Sequence, residues 1–176
     1  MDRCTWVGID KIYQDYHDME WGVPEYDSRA LWEKLILDGF QAGLSWITIL
    51  KKRPAFRSAF AGFDPQEIAG WGAAEVEVLL QNRGIVRHRG KIEATIGNAQ
   101  AYLRLAEEMP FSDRMWAYVD GRPIVAGYET LAQVPTQSPL SQKISKDLKA
   151  AGFKFCGPTI VYAWMEACGL FNNHIL

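Results

Sequence analysis

One stretch constrains this chain more than any other: Leu37-Asp38-Gly39-Phe40-Gln41-Ala42-Gly43-Leu44-Ser45-Trp46. Upstream of it, Leu31, Trp32, Leu35 and Ile36 recur at helical spacing and define one clear core face. The spacing predicts a helix over 29–38, capped by Asp27 or Ser28, and a second helix starting near Ala42. Asp38 falls three residues past Leu35, close enough to the apolar stripe to be drawn partly inward. A desolvated carboxylate costs several kcal/mol unless it finds partners, so such a residue is rarely idle. The alternative is a solvated Asp at a helix C-terminus, beside a turn at Gly39.

The rest of the chain repeats the helical signal. Asp64-Pro65-Gln66-Glu67 combines a capping side chain, a first-turn proline and an acid in the first turn. Ala73–Asn82 is periodic and ends before Gly84. Arg87–Glu108 reads as one long helix with Ile92, Ile96, Ala99 and Leu103 on one face. Ser141–Ala151 ends at Gly152 and Thr159–Cys168 ends at Gly169, both glycine-terminated helices. Only Pro123-Ile124-Val125 looks extended. With no internal repeat and no long linker, 176 residues make one all-α domain, 1–176.

Composition narrows the class. Hydrophobic residues at 48% and charged residues at 23% suit a packed domain and exclude a disordered chain. No apolar run approaches the roughly 20 residues that span a bilayer, so no membrane partner is expected. The start, Met1-Asp2-Arg3-Cys4-Thr5-Trp6, lacks the layout of a secretory signal, and a cytoplasmic location is the expectation. Cys4, Cys156 and Cys168 are too few for a disulfide framework.

A formal charge of −2 supplies no global attraction to nucleic acid, so any such surface must be local. Two basic segments stand out. Arg83-Gly84-Ile85-Val86-Arg87-His88-Arg89-Gly90-Lys91 reads first as a solvated helix start, with a phosphate-facing patch as the alternative. Lys143, Lys146 and Lys149 share one helical face, and Lys154 follows in the turn Gly152-Phe153-Lys154-Phe155-Cys156-Gly157-Pro158-Thr159. One helix stops at Gly152 and another begins near Pro158. The new helix would present free amides, and Gly157 lets a phosphate approach the backbone. Such a helix–hairpin–helix supplies grip and register on DNA without reading sequence. A solvated lysine face beside an ordinary turn is the plainer alternative.

Trp6, Tyr13, Tyr16, Trp21 and Trp46 crowd a region with little regular apolar periodicity. A protein that handles a flipped nucleobase needs flat walls to stack on and a polar atom for the base edge. Stacking is worth about 1–3 kcal/mol per base, and a cationic base gains more from an electronegative ring face. Core filling is the competing use of each ring taken singly. Cys4 and His17 near one end and His174 near the other could supply three ligands to a tetrahedral zinc if the termini meet. Their spacing matches no zinc-finger pattern, and taken alone chance explains it better.

Taken together, these residues resemble the type I 3-methyladenine DNA glycosylases, a branch of the helix–hairpin–helix glycosylases. The resemblance runs along essentially the whole chain. It includes Arg3-Cys4-x-Trp6, Tyr16-His17-Asp18-x-Glu20-Trp21-Gly22-Val23-Pro24 and Gln41-Ala42-Gly43-Leu44-Ser45-Trp46. It continues through Gly84–Ile92 and Gly152–Thr159 to Met165-Glu166-Ala167-Cys168-Gly169-Leu170 and Asn172-Asn173-His174.

The resemblance implies a monofunctional hydrolase that excises 3-methyladenine from alkylated duplex DNA by base flipping, and a monomer. It implies that Asp38 reads the damaged base, at a position where the family typically carries Glu. Tyr16 and Trp46 would stack on that base, and Tyr13, Trp6 and Trp21 would complete the pocket. Leu44 would fill the gap left in the duplex, while Lys154, Gly157 and Thr159 would hold the backbone. Cys4, His17 and His174 match three ligands of one structural zinc. Three departures stand out. Asp38 shortens the carboxylate by one methylene, at most about 1.5 Å of reach. The family's fourth zinc ligand, a Cys shortly after the last His, is not among the residues up to Leu176. Asn173 replaces an expected Asp. Two other readings stay open: a glycosylase with altered alkyl-base preference, and a DNA-binding module without catalysis.

Overall fold

In the computed structural model, residues 3–175 are described. Helix α1 (Lys11–Met19) is capped by Asp10, whose side chain accepts from the Ile12 N–H, and α2 (Ser28–Gln41) by Asp27, which accepts from the Ala30 N–H. These carboxylates satisfy amides that a helix start leaves without partners. Helices α3 (Trp46–Ala59), α4 (Pro65–Ile68) and α5 (Ala73–Leu80) follow. The 20-residue α6 (Arg89–Glu108) leads to α7 (Phe111–Ala117), α8 (Pro139–Ala150) and α9 (Pro158–Ala167). Strands β1 (Ile124–Val125) and β2 (Phe171–Asn172) pair in parallel, Ile124 opposite Phe171, and tie the last residues to the 118–138 segment. The all-helical expectation needs only this small amendment.

Helix α2 is the centre of the molecule. Leu31, Trp32, Leu35, Ile36, Leu37 and Phe40 are all buried, because α3, α6, α7 and α9 surround it. Each such side chain contributes about 1.5–3 kcal/mol by leaving water. Phe56, Phe60 and Phe63 stack beside Phe40. Two buried indoles find partners: Trp164 Nε1 donates to the Leu31 carbonyl at 2.9 Å and Trp116 Nε1 to the Glu25 carbonyl at 2.7 Å. No helix among the described residues is long and apolar enough to cross a membrane.

The boundaries around the first motif differ from expectation in an informative way. Helix α2 continues to Gln41, three residues beyond Asp38, and α3 starts at Trp46 rather than near Ala42. Gly39 is therefore helical, and it serves close approach: a Cβ there would lie 3.0 Å from the Phe155 carbonyl oxygen. The turn residue is Gly43, at φ +81°. Lys91 is not a solvated helix start. It is buried, and its ammonium donates to the Phe40 and Ala42 carbonyls at 2.9 and 2.7 Å, completing the end of α2. Cations are favoured at that pole of a helix. Helices α1 and α7 were not anticipated from apolar spacing.

Candidate functional site

The aromatic residues of the N-terminal region converge on one cavity of about 250 Å³. Trp6 and Tyr13 come from the first turn and α1, Tyr16 from the next turn of α1, Trp21 from its end, and Trp46 from the start of α3. Asp38 projects into the same space from the last turn of α2. The rings support one another: Trp6 lies 4.9 Å from Tyr13 and 5.2 Å from Trp21, and Tyr16 lies 5.6 Å from Trp46. These tilted and edge-on contacts are the favourable aromatic geometries. The opening is small for a drug-sized ligand, whose pockets run to about 300–1,000 Å³, and suits one flat heterocycle.

Asp38 settles the choice between a solvated and an inward carboxylate. It is 4% exposed, and its Oδ2 is buried with no hydrogen-bond partner among the described residues. Burial pushes its carboxyl well above the ordinary range, Lys34 pulls it down, and Glu166 pushes it up further. A buried acid without a donor is costly unless a ligand supplies one. Burial also raises the Tyr16 hydroxyl, with Asp38 adding to it.

Three polar residues of the pocket were not among the expected site residues: Gln41, Glu166 and Asn173. Burial raises the Glu166 carboxyl to about 7, against the hydrogen bond from Asn173, which lowers it. Asn173 Nδ2 donates to Glu166 Oε2 at 3.1 Å and to Tyr162 Oη at 3.0 Å. An ionised Asp at 173 could donate to neither, which gives the departure at this position a physical content. The available signal was a single carboxylate in the otherwise apolar stretch of α9.

Cys4, His17 and His174 do meet. Their ligand atoms all lie within 4.8 Å of one another, Cys4 and His17 buried and His174 half-buried. A tetrahedral zinc with bonds of about 2.0–2.3 Å needs ligand separations of about 3.6 Å, a modest contraction. Both rings are already oriented. His17 Nδ1 faces Asp18 Oδ1 at 2.9 Å, and Arg3 and His17 together hold that carboxyl well below its usual range. His174 Nε2 donates to the Trp21 carbonyl at 2.7 Å. Such outer partners select the tautomer that leaves the other nitrogen as an acceptor able to bind a metal, a role His17 Nε2 fills here by accepting from the Cys4 N–H at 3.4 Å. Gly22, at φ +79°, makes the approach possible, since a Cβ there would meet the His174 ring at 2.9 Å. One thiolate and two imidazoles form a donor set that fits zinc.

The residues expected to face DNA are less closely gathered. Leu44 is exposed on the turn between α2 and α3, outside the cavity lining. Helix α8, the turn 151–157 and α9 form the expected pair of helices. Gly157 is the N-cap of α9 and Thr159 is exposed in its first turn. Lys143, Lys146, Lys149 and Lys154 are exposed and make no ion pair among the described residues. Of the other basic segment, Arg89 is paired with Glu77 and Lys91 is internal, leaving Arg83 and Arg87 exposed.

The methyladenine glycosylase family profile matches residues 6–176. The chain is 51% identical over 177 aligned positions to DNA-3-methyladenine glycosylase 1 of Escherichia coli (strain K12), covering 100% of this chain and 95% of the relative. A crystal structure of 3-methyladenine DNA glycosylase I superposes with a TM-score of 0.97 at 52% identity, covering 99% and 96% of the two chains. A variant of 3-methyladenine DNA glycosylase I in complex with 3-methyladenine superposes at 0.96 with 41% identity, covering 99% and 95%.

Proposed function

Since this chain belongs to the methyladenine glycosylase family, we propose that it is a repair enzyme releasing 3-methyladenine from alkylated DNA by hydrolysing the base–sugar N-glycosidic bond. The observation that carries this reading is the aromatic cavity closed by a buried, unpartnered carboxylate. A DNA-binding module has no use for such a cavity.

The chemistry asks little of an acid. Methylation at the ring leaves the attached adenine positively charged. When the glycosidic bond breaks, its electron pair returns to the ring, the base departs neutral, and water adds to the sugar carbon and gives up a proton. The protein's work is to extract the base, hold it and exclude competitors. Tyr16 and Trp46 stack on the flipped base, Trp6, Tyr13 and Trp21 wall it in, and Asp38 accepts from its edge. A carboxylate in an aromatic enclosure also favours the cationic ground state that is primed to leave. Leu44, exposed on its turn, fills the vacated place in the duplex. The α8–α9 pair acts as the helix–hairpin–helix, with Lys154, the Gly157 backbone and Thr159 on the phosphates. Cys4, His17 and His174 would hold one structural zinc, which would cross-link the two ends of the fold.

The direct test is release of free 3-methyladenine from alkylated duplex DNA under single-turnover conditions. Release of that base supports the reading, and a protein that binds the duplex but releases nothing overturns it. A panel of other alkylated bases in the same assay decides whether the shorter Asp38 alters preference.

A further inference from the structure

Glu166 plays no part in the function just described, yet it lines the same cavity as Asp38 and comes from a different helix, α9. Its Oε2 is anchored by the Asn173 amide, while Oε1 has no hydrogen-bond partner among the described residues. Asp38 likewise keeps Oδ2 buried without a partner. The cavity therefore holds two carboxyls, each with an unused oxygen.

We propose that Glu166 is a second base-contacting carboxyl, which together with Asp38 reads an edge carrying one donor beside one acceptor, as adenine-type bases present. The inference rests on the cavity being the 3-methyladenine site. Two carboxyls in one aromatic enclosure disfavour simultaneous ionisation, and burial raises both of them here. With one of the two carboxyls protonated, the cavity offers one O–H donor and one anionic acceptor. Adenine shows a ring-nitrogen acceptor next to its amino donor on one edge, and methylation at position 3 leaves that edge untouched. Guanine shows two acceptors there and would leave the anionic member facing a lone pair. Glu166 also compensates for the missing methylene of Asp38, by meeting the base from a second wall.

The experiment measures the affinity of free 3-methyladenine through quenching of the pocket tryptophans, together with its release from alkylated duplex, in wild type, Glu166→Ala and Glu166→Gln. Glu166→Ala is expected to bind the base at least tenfold more weakly. Glu166→Gln keeps a donor and an acceptor at the position and is expected to recover part of that loss. Affinity in Glu166→Ala within twofold of wild type overturns the inference. So does an equal loss in both variants accompanied by equally lowered melting temperatures, which marks a structural role. If Glu166→Ala does not fold, Glu166→Asp replaces it, with at least a fivefold loss expected and a change within twofold overturning the proposal. A wild-type protein that neither binds nor releases the base overturns the parent reading instead, so the two failures are distinct.

Discussion

Asn98 grips Lys154 at two points: its Oδ1 accepts from the Lys154 N–H at 2.8 Å and its Nδ2 donates to the Lys154 carbonyl at 3.1 Å. The side chain thus mimics a strand, and it links α6 to the turn between α8 and α9. Ser145 adds a third tie, donating to the Cys156 carbonyl at 2.7 Å. Through the Phe155 carbonyl packed on Gly39, the same turn abuts the helix that carries Asp38. The turn that carries Lys154 and the helix that carries Asp38 are therefore joined through direct contacts.

Removing that clamp should separate the two functions. Asn98→Ala leaves the part-buried N–H and carbonyl of Lys154 without these partners, a loss of about 1 kcal/mol in stability. Duplex binding should weaken while affinity for the free base is retained. Lys154→Glu should instead leave stability alone and flatten the dependence of duplex binding on salt by about one unit of slope. Denaturant melts and binding titrations at three salt concentrations check both. Unchanged stability and unchanged duplex affinity in Asn98→Ala would show the clamp to be idle.

The zinc prediction follows from geometry that joins opposite ends of the chain. A metal held by Cys4, His17 and His174 closes nearly the whole chain into a loop, and binding free energy then adds to folding free energy. Protein purified without chelator should carry up to one zinc per chain by elemental analysis. Chelator should lower its melting temperature, and Cys4→Ala should abolish both the metal and the chelator effect. Metal-free protein that melts identically with and without chelator rejects the site.

How much of this was readable from sequence depends on what each residue answers to. Caps at Asp27 and Asp64 are local chemistry, and both were legible. The long α6 was legible too, because one face is apolar over about three turns, from Ile92 to Leu103. Helix α1 was not, since only Tyr16 and His17 are buried on it while Ile12 and Met19 are exposed, so its periodicity is blurred by the cavity it lines. The α2 terminus was misplaced because Gly39 looks like a stop signal, whereas its glycine serves a contact with Phe155 more than a hundred residues away. The aromatic wall and the Cys4–His17–His174 group could be proposed from residue type. The pocket places of Glu166 and Asn173 could not, because the packing of α9 against α2 brings the first to the cavity and the chain after β2 brings the second.

Glu166 gives a pH prediction with a definite sign. Its folded-state carboxyl sits near 7, above the ordinary value of 4.5, because burial disfavours the charge. A raised folded value means the folded protein holds the proton more tightly. That stability is fully present below about pH 4.5 and is lost as pH rises through about 7. Glu166→Gln has no such loss, while Asp38, Tyr162 and Asn173, which surround the group, are common to both proteins. The variant should therefore gain on wild type by on the order of 2 kcal/mol between pH 4.5 and pH 8. Urea melts at the two pH values measure it, and a stability difference that does not move with pH contradicts the burial argument.

Asp38 carries the last prediction, in which stability and activity move apart. Its buried, unpartnered oxygen and elevated carboxyl make it a burden on the empty fold. Asp38→Ala should fold at least as stably as wild type within about 1 kcal/mol, the cavity left by a small side chain offsetting the relief of a buried acid. Release of 3-methyladenine should nevertheless fall, by the about 1–3 kcal/mol of a buried hydrogen bond and by more where the bond is charge-assisted. Trp46→Ala should weaken base binding through lost stacking, about 1–3 kcal/mol. Asp38→Glu is the pointed case. It extends the carboxylate by about 1.5 Å into the cavity, restores the reach typical of the family, and should preserve or improve excision. Single-turnover release by wild type and the three variants, set beside their melting curves, decides it. Wild-type release in Asp38→Ala would mean that the carboxylate does not meet the base.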